Sequence, residues 1–226
     1  MNLRTSYLKL IRELIYLSVN TCPNIAYIVN SLAQFNADPS PRHFAAGKRV
    51  LRYLAGTLNH RLHYSAETEN PELHAYADAS WVNELGRHSV SGYTWFYSCG
   101  LISHVSKKQT TMALSSTEAE YMAVTHVVQE GLWLRSLFSE LSLSFQVPIR
   151  IFLDNTGAIA LSMAAKFHQR TKHIDIQYHF ICEHVDNGTF PLIWLPMHKN
   201  ISDILTKPLP QPVFSKLSAA LGLAAS

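Results

Sequence analysis

Residues 73–78 have the sequence Leu-His-Ala-Tyr-Ala-Asp, in which apolar and polar side chains alternate up to a terminal aspartate. Such alternation is typical of a β-strand with one buried face. Two further segments, 90–97 and 101–107, are also rich in strand-forming residues and are separated by short turns. The three segments together predict an antiparallel meander whose first strand ends at Asp78.

Helices and strands alternate after this meander. A long helix is predicted to open with Ser115-Ser116-Thr117-Glu118, which matches the pattern of a capping box. A run that is apolar except for Arg150 then predicts a buried central strand at 149–153. The remaining predicted elements are helices at 156–165, 174–185 and 201–206 and a strand at 190–195. This order predicts an α/β domain built on a mixed sheet.

The first 70 residues differ from the rest in both charge and pattern. They carry eight Lys or Arg and four Asp or Glu, whereas residues 71–226 carry eleven and twelve. Helices are predicted over 1–36, broken at Pro23, and over 41–56, capped by Ser40. The second helix places three cations on one face, at Lys48, Arg49 and Arg52. That face is either an ordinary solvated surface or a contact for a phosphate backbone.

Composition excludes several classes of protein. Of the 226 residues, 47% are hydrophobic and 15% are charged, which favours a globular chain over a disordered one. The three cysteines are far apart and form no CxxC pair, so a reducing compartment is expected. No apolar run reaches the length of a membrane span, and no convincing signal peptide is present. We expect a cytoplasmic or nuclear protein with no membrane partner.

Three aspartates stand out by their positions in the predicted elements. Asp78 closes the first predicted strand, Asp154 closes the buried strand at 149–153, and Asp203 lies beside apolar residues in the last short helix. Functional groups of open α/β sheets cluster beyond the carboxyl ends of the strands. Carboxylates meeting there without His or Cys partners suit a hard cation such as Mg²⁺. For each aspartate alone, a turn or helix cap is the simpler interpretation.

Six motifs occur in a fixed order along the second part of the chain. They are Tyr76-Ala77-Asp78-Ala79-Ser80-Trp81 with Ser91-Gly92-Tyr93, Ser106-Lys107-Lys108-Gln109, Ala113-Leu114-Ser115-Ser116-Thr117-Glu118-Ala119-Glu120-Tyr121, Asp154-Asn155, Arg170-Thr171-Lys172-His173-Ile174-Asp175-Ile176, and Ser202-Asp203-Ile204-Leu205-Thr206-Lys207-Pro208-Leu209. In this order they resemble the ribonuclease H domain of copia-type LTR-retrotransposon polyproteins. Residues 1–70 resemble the end of that family's reverse transcriptase, its thumb region.

The resemblance implies a fold and a division of the chain. The fold is a ribonuclease H-like, mixed five-stranded sheet with flanking helices, preceded by a small helical thumb-like segment. The corresponding parts are a reverse transcriptase remnant at 1–70, a ribonuclease H-like domain at 71–210 and a C-terminal tail at 211–226.

The resemblance also implies a site of four carboxylates that holds two Mg²⁺ ions, with Mn²⁺ as a substitute. Carried over residue by residue, the four are Asp78, Glu120, Asp154 and Asp203. Glu118 competes with Glu120, but its spacing from Ser115 suits the capping box. The spacing from Thr117 to Glu120 is the same, so only the alignment with the family favours Glu120.

The activity implied is endonucleolytic hydrolysis of the RNA strand in an RNA–DNA hybrid. Ser80, Ser116 and Asn155 adjoin the carboxylates and are candidate contacts to the nucleic-acid backbone, although small polar residues are also common in turns. His198 precedes Asp203 by five residues and is a candidate for proton transfer, with an ordinary loop histidine as the alternative. The implied partners are the hybrid and a polymerase supplied in trans.

Several departures from the family's pattern favour a second hypothesis. No two aspartates are adjacent, so we expect no DNA synthesis by this chain alone. Ser80 replaces a common aspartate, and Cys182 replaces a common arginine. The alternative is therefore a truncated, catalytically silent retrotransposon remnant that acts at most as a nucleic-acid or protein interaction module. If the element is active, the protein is expected inside a virus-like particle.

A histidine-rich stretch raises the separate question of zinc. Its members are His168, His173, His179, Cys182 and His184. Their spacing matches neither a zinc finger nor a paired CxxC site, so no zinc is expected.

Overall fold

The computed structural model describes residues 3–65, 71–81, 88–143, 148–163 and 180–225. Its first part consists of three helices, α1 (Leu3–Asn20), α2 (Ala26–Ala33) and α3 (Pro41–Gly56), with a 3₁₀ turn at Pro23–Ile25. The predicted break at Pro23 and the predicted cap at Ser40 are both present. The three helices bury one apolar cluster, which includes Tyr7, Ile11, Leu14, Val29 and Val50.

Five strands form the main sheet. They are β2 (Leu73–Ser80), β3 (Val90–Tyr97), β4 (Gly100–Lys108), β5 (Arg150–Leu153) and β6 (Leu192–Trp194), and a short β1 (His60–Leu62) precedes them outside this sheet. The strand order is β4-β3-β2-β5-β6. The first three are antiparallel, whereas β5 runs parallel to both β2 and β6. This confirms the predicted five-stranded mixed sheet.

Helix α4 (Ser116–Glu140) covers the sheet. Two further helices follow along the chain, α5 (Thr156–Met163) and α6 at residues 180–186. The core beneath α4 includes the side chains of Trp95 and Phe190, which are fully buried. Gly131 lies against these two rings, because a Cβ on it would be 2.7 Å from Trp95 Cζ2 and 2.8 Å from Phe190 Cε1. The close approach of α4 to the sheet therefore depends on this glycine.

The C-terminal segment has more structure than the sequence indicated. Residues 211–226 were expected to form a tail, but they contain α7 (Gln211–Ala220) and β7 (Leu223–Ala225). β7 pairs antiparallel with β1 in a separate two-stranded sheet. The predicted helix at 201–206 is a 3₁₀ helix over Ile201–Leu205. Leu205, Leu217 and Leu221 pack together with Phe96 and Leu101 from the main sheet, which anchors the segment.

Polar contacts join the N-terminal helices to the rest of the molecule. Asn30 Nδ2 donates to the carbonyl oxygen of Ser106 at 2.6 Å, and His104 Nε2 lies 2.9 Å from the carbonyl oxygen of Ser18. The boundaries predicted at residues 70 and 210 stay predictions, and residues 66–70 lie outside the described residues. Among the described helices, none has the length and apolarity that crossing a bilayer requires.

The packing of Gly131 gives a test of the fold. In a helix interior, Gly→Ala ordinarily stabilises by about 1 kcal/mol. At Gly131 the added methyl meets two buried rings, so we expect Gly131→Ala instead to lower the free energy of unfolding by about 1–3 kcal/mol. Urea denaturation measures the change. Gly56→Ala is the control because, apart from the adjacent residues and the backbone of its own helix, no described atom would lie within 4 Å of the added Cβ. A stabilised Gly131→Ala variant would contradict this packing.

Candidate metal centre and active site

Three aspartates from distant parts of the sequence converge at one edge of the sheet. Asp78 lies near the end of β2, Asp154 follows β5, and Asp203 lies in the 3₁₀ helix Ile201–Leu205. One carboxylate oxygen from each lies within 4.8 Å of the others. Because β2 and β5 are parallel, their carboxyl ends meet at the same edge, as the sequence pattern predicted.

Glu120 brings a fourth carboxylate toward this cluster from α4. Its side chain is buried, and its pKa is raised to about 10 by burial and by the negative charges of Asp78 and Asp154. Glu118 is occupied elsewhere: its backbone N–H donates to Ser115 Oγ at 3.1 Å, and its Oε2 accepts from the Leu114 N–H at 2.7 Å. The structure therefore gives Glu118 the capping role and directs Glu120 inward.

Hydrogen bonds hold the segment that carries Asp203 against β2. Asn200 Nδ2 donates to the carbonyl oxygen of Ala77 at 2.9 Å, and Ser202 Oγ donates to that of Tyr76 at 2.8 Å. Both Asn200 and Ser202 are fully buried. Asp203 is thus fixed beside Asp78 by the backbone of the strand itself.

A glycine opposite Asp78 makes room for the same segment. Gly92 pairs with Asp78 across β2 and β3. A Cβ at this position would lie 2.6 Å from Thr206 Cγ2 and 2.9 Å from Leu205 Cβ, closer than such atoms approach in proteins. Gly92 belongs to a motif quoted for the family resemblance, and the structure gives it a steric reason.

Two residues that the sequence reasoning did not assign complete the cluster. Thr206 is fully buried and its hydroxyl donates to Asp78 Oδ2. The Lys207 ammonium lies 2.8 Å from Asp203 Oδ1 and 3.8 Å from Asp78 Oδ2. Thr206 follows Asp203 by three residues and Lys207 follows it by four, the spacings at which side chains of a helix meet. That spacing, within the motif 202–209, was the signal that could have identified them.

The electrostatics of the cluster favour a bound cation. Burial and the charge of Asp78 raise the pKa of Asp203 to about 7, and they also raise the pKa of Asp154. Within the described part of the chain, the buried Oε2 of Glu120 has no hydrogen-bond partner. Four carboxylates, without a sulfur or imidazole ligand among the residues the structure describes, match the oxygen preference of Mg²⁺ and Mn²⁺. The residues present therefore fit a divalent ion of this class.

The other polar residues predicted for the site differ in their solvent exposure. Ser80 is half-buried and lies two residues after Asp78, on the same face of β2. Ser116 is exposed at the first position of α4. Asn155 Oδ1 accepts from the Ala158 N–H at 3.0 Å and so caps α5. His198 is exposed on the 3₁₀ turn Met197–Lys199.

The three predicted cations of α3 lie outside the carboxylate cluster. Lys48, Arg49 and Arg52 are all exposed on this helix. The Lys48 ammonium lies 4.7 Å from the ring centroid of Phe44. The exposure of these three side chains is consistent both with a solvated surface and with a nucleic-acid contact. The nucleic-acid contact therefore stays a prediction.

The histidine-rich stretch is only partly described. The motif at 170–176 and the histidines at 168, 173 and 179 lie outside the described residues. Cys182 is described, and its Sγ donates to the carbonyl oxygen of Ser162 at 3.2 Å.

In the absence of divalent ions, the stability of the folded chain should decrease as the pH rises. The pKa values of Glu120 and Asp203 are raised in the folded state, to about 10 and about 7. A carboxyl group with a raised pKa stabilises the folded state at pH values below the pKa of the unfolded state, about 4. This stabilisation is lost as the pH rises through the pKa of the folded state. We therefore expect the Tm in EDTA to decrease from about pH 5 to pH 8 at constant ionic strength, as measured by scanning calorimetry.

Matched variants assign this pH dependence to the cluster. Glu120→Gln should flatten the dependence because it removes a carboxyl group with a raised pKa. Glu118→Gln keeps a side-chain acceptor for the Leu114 N–H and should leave the dependence unchanged. Equal slopes in the wild type and in Glu120→Gln would contradict the interpretation.

Comparison with known proteins places this geometry in a family. No family model matches the chain. The Retrovirus-related Pol polyprotein from transposon RE1 of Arabidopsis thaliana is 40% identical over 97% of this chain, which spans 15% of that relative's length. The Secreted RxLR effector protein 161 of Plasmopara viticola is 44% identical over 57% of this chain and 90% of its own length.

Solved structures include more distant likenesses. LC11-RNase H1, isolated from compost by a metagenomic approach, has 12% identity and a TM-score of 0.46 over 64% of this chain and 96% of its own. The sequence relationship to the transposon proteins is much closer and extends over nearly the whole chain. The chain belongs to the family of retrovirus-related Pol polyproteins of copia-type transposons.

Proposed function

We propose that the chain is a metal-dependent endonuclease that hydrolyses the RNA strand of RNA–DNA hybrids. The observation that carries the proposal is the buried cluster of Asp78, Asp154 and Asp203, with Glu120 beside it, at one edge of the mixed sheet. The substrate class is supported by the ordered motifs that resemble the family's ribonuclease H domain.

The proposed cofactor is a pair of Mg²⁺ ions, for which Mn²⁺ would substitute, held by the four carboxylates. When bound, such ions supply Lewis acidity toward the scissile phosphodiester and its attacking water. Two divalent ions also balance the combined negative charge of Asp78, Glu120, Asp154 and Asp203. The chain's own contribution is to hold the oxygen ligands in place in advance: Asn200, Ser202 and Thr206 fix Asp203 and Asp78 through hydrogen bonds.

Recognition of the hybrid is proposed to rely on shape and backbone chemistry. Proteins distinguish RNA from DNA in a helix chiefly through the 2′-hydroxyl groups and the backbone. Of the three candidates, Ser80 lies closest in sequence to Asp78 and is partly accessible, so it is a candidate donor to the RNA strand, together with Ser116 and the side-chain amide nitrogen of Asn155. Lys48, Arg49 and Arg52 would add salt-dependent affinity for phosphates.

The wider setting follows from the same proposal. DNA synthesis is not assigned to this chain, so a polymerase would act in trans on the same hybrid. The proposed place of action is the cytoplasm or nucleus, or a virus-like particle where the element is active.

A hybrid cleavage assay tests the proposed activity. An RNA–DNA hybrid with an end-labelled RNA strand is incubated with the purified chain in Mg²⁺, and the products are resolved by electrophoresis. We expect cleavage of the RNA strand only, abolished by EDTA. Asp154→Asn should reduce the rate by roughly a hundredfold or more, because loss of even an outer-shell partner of a metal ligand costs about 10–100-fold.

The matched control is Asp186→Asn, which changes an exposed aspartate on α6 and should keep wild-type activity. A folded wild-type chain that leaves the RNA strand intact in both Mg²⁺ and Mn²⁺ would refute the proposed activity.

One comparison favours a second candidate function, that of an interaction module without catalysis. Most of the Secreted RxLR effector protein 161 aligns with part of this chain, so related sequence occurs in a protein named for another role. The same assay distinguishes the two candidates. A module would bind the hybrid in a gel-shift experiment without cleaving it, and Asp154→Asn would leave that binding unchanged.

A further inference from the structure

Lys207 places a positive charge among the carboxylates themselves. Its ammonium lies 2.8 Å from Asp203 Oδ1 and 3.8 Å from Asp78 Oδ2. Asp78 and Asp203 both contribute oxygens to the group of three that lie within 4.8 Å of one another. The ammonium therefore contacts the same side chains that would ligate a divalent ion.

The charges around Lys207 keep it in the cationic form. Burial disfavours its charge, but the negative charges of Asp78, Asp203 and Asp154 outweigh burial and raise the pKa of the ammonium group. Among the described residues that influence Asp154 and Asp203, Lys207 is the one cation. In the absence of metal it is therefore the local charge that offsets the repulsion between these carboxylates.

The anchoring of Lys207 differs from that of its neighbour. Thr206 is fully buried and bound to Asp78, whereas the Lys207 side chain remains 30% exposed. Its ammonium is carried on a flexible four-carbon stem. The stem can rotate the charge toward solvent while the backbone at Thr206 stays fixed, so the ammonium can leave without displacement of the ligands.

We propose that Lys207 is an exchangeable counter-cation of the carboxylate cluster, which holds Asp78 and Asp203 together before metal binds and competes with the divalent ion for their oxygens. The inference rests on the proposed metal site. Lys207 is thus a positioning residue that sets the affinity for the ion, and the carboxylates remain the ligands.

Calorimetric titration with MnCl₂ and melting in EDTA test the inference on the full chain. In Lys207→Met the competing charge is lost, so we expect Mn²⁺ to bind roughly tenfold or more tightly, as expected for removal of a like charge close to the ion. The same variant should melt at a lower temperature in EDTA because the carboxylates lose their counter-charge. Lys207→Arg keeps the charge and should stay near the wild type in both measurements.

Lys216→Met is the matched control, since Lys216 is exposed on α7, and both of its values should equal those of the wild type. Equal or weaker Mn²⁺ binding by Lys207→Met overturns the inference, because a residue that only orients the ligands would weaken binding when removed. Where Lys207→Met does not fold in EDTA, Lys207→Gln refolded with Mn²⁺ and back-titrated with EDTA gives the same comparison.

Asp154→Asn separates this inference from the proposed function. If the wild type binds Mn²⁺ and Asp154→Asn does not, the metal site on which the inference rests is established. If neither the wild type nor Lys207→Met shows such binding, the proposed metal-dependent function and the inference both fail. If both bind Mn²⁺ with equal affinity, only the inference fails.

Discussion

Repulsion between carboxylates is the constraint around which this part of the molecule is built. Asp78, Glu120 and Asp203 are buried within one cluster, and burial together with their mutual repulsion raises the pKa values of Glu120 and Asp203. Such a cluster persists only where the surrounding structure holds it. Hydrogen bonds from the 200–206 segment to β2 supply this restraint, and Lys207 supplies the opposing charge. The fit of these residues to a divalent ion and the electrostatic cost of burying them therefore have the same origin.

The restraint in turn depends on close packing of the 200–206 segment against β2 and β3. The carbonyl groups of Tyr76 and Ala77 on β2 accept from Ser202 and Asn200, and Ser202 Oγ lies 3.4 Å from Thr94 Oγ1 on β3. Because β5 ends at Leu153, Asp154 follows it directly and lies beside Asp78. The sheet topology thus determines both the restraint and the ligands.

Much of this arrangement could be predicted from the sequence, because it depends on local patterns. The alternation at 73–78 and the apolar run at 149–153 gave the two strands whose ends carry Asp78 and Asp154. Glu120 required the family resemblance, since capping-box spacing alone did not separate it from Glu118. The pairing of β1 with β7 was missed because two three-residue strands, far apart in sequence, carry no periodic signal. Thr206 and Lys207 were missed because their contacts with Asp78 join residues far apart in the sequence, although their spacing from Asp203 was a local signal.

The helical segment has a structural role that does not depend on its basic face. β4 is an edge strand of the main sheet, and exposed edges promote unwanted pairing between chains. Asn30 donates to the carbonyl oxygen of Ser106 on this strand, and Lys108 Nζ donates to Gln34 Oε1 at 3.0 Å, so α2 and the residues after it lie along that edge. Since β4 pairs with β3, and β3 supplies Gly92 beneath the Asp203 segment, covering this edge also supports the carboxylate cluster. The N-terminal helices therefore contribute to the site through the sheet, whether or not Lys48, Arg49 and Arg52 contact a nucleic acid.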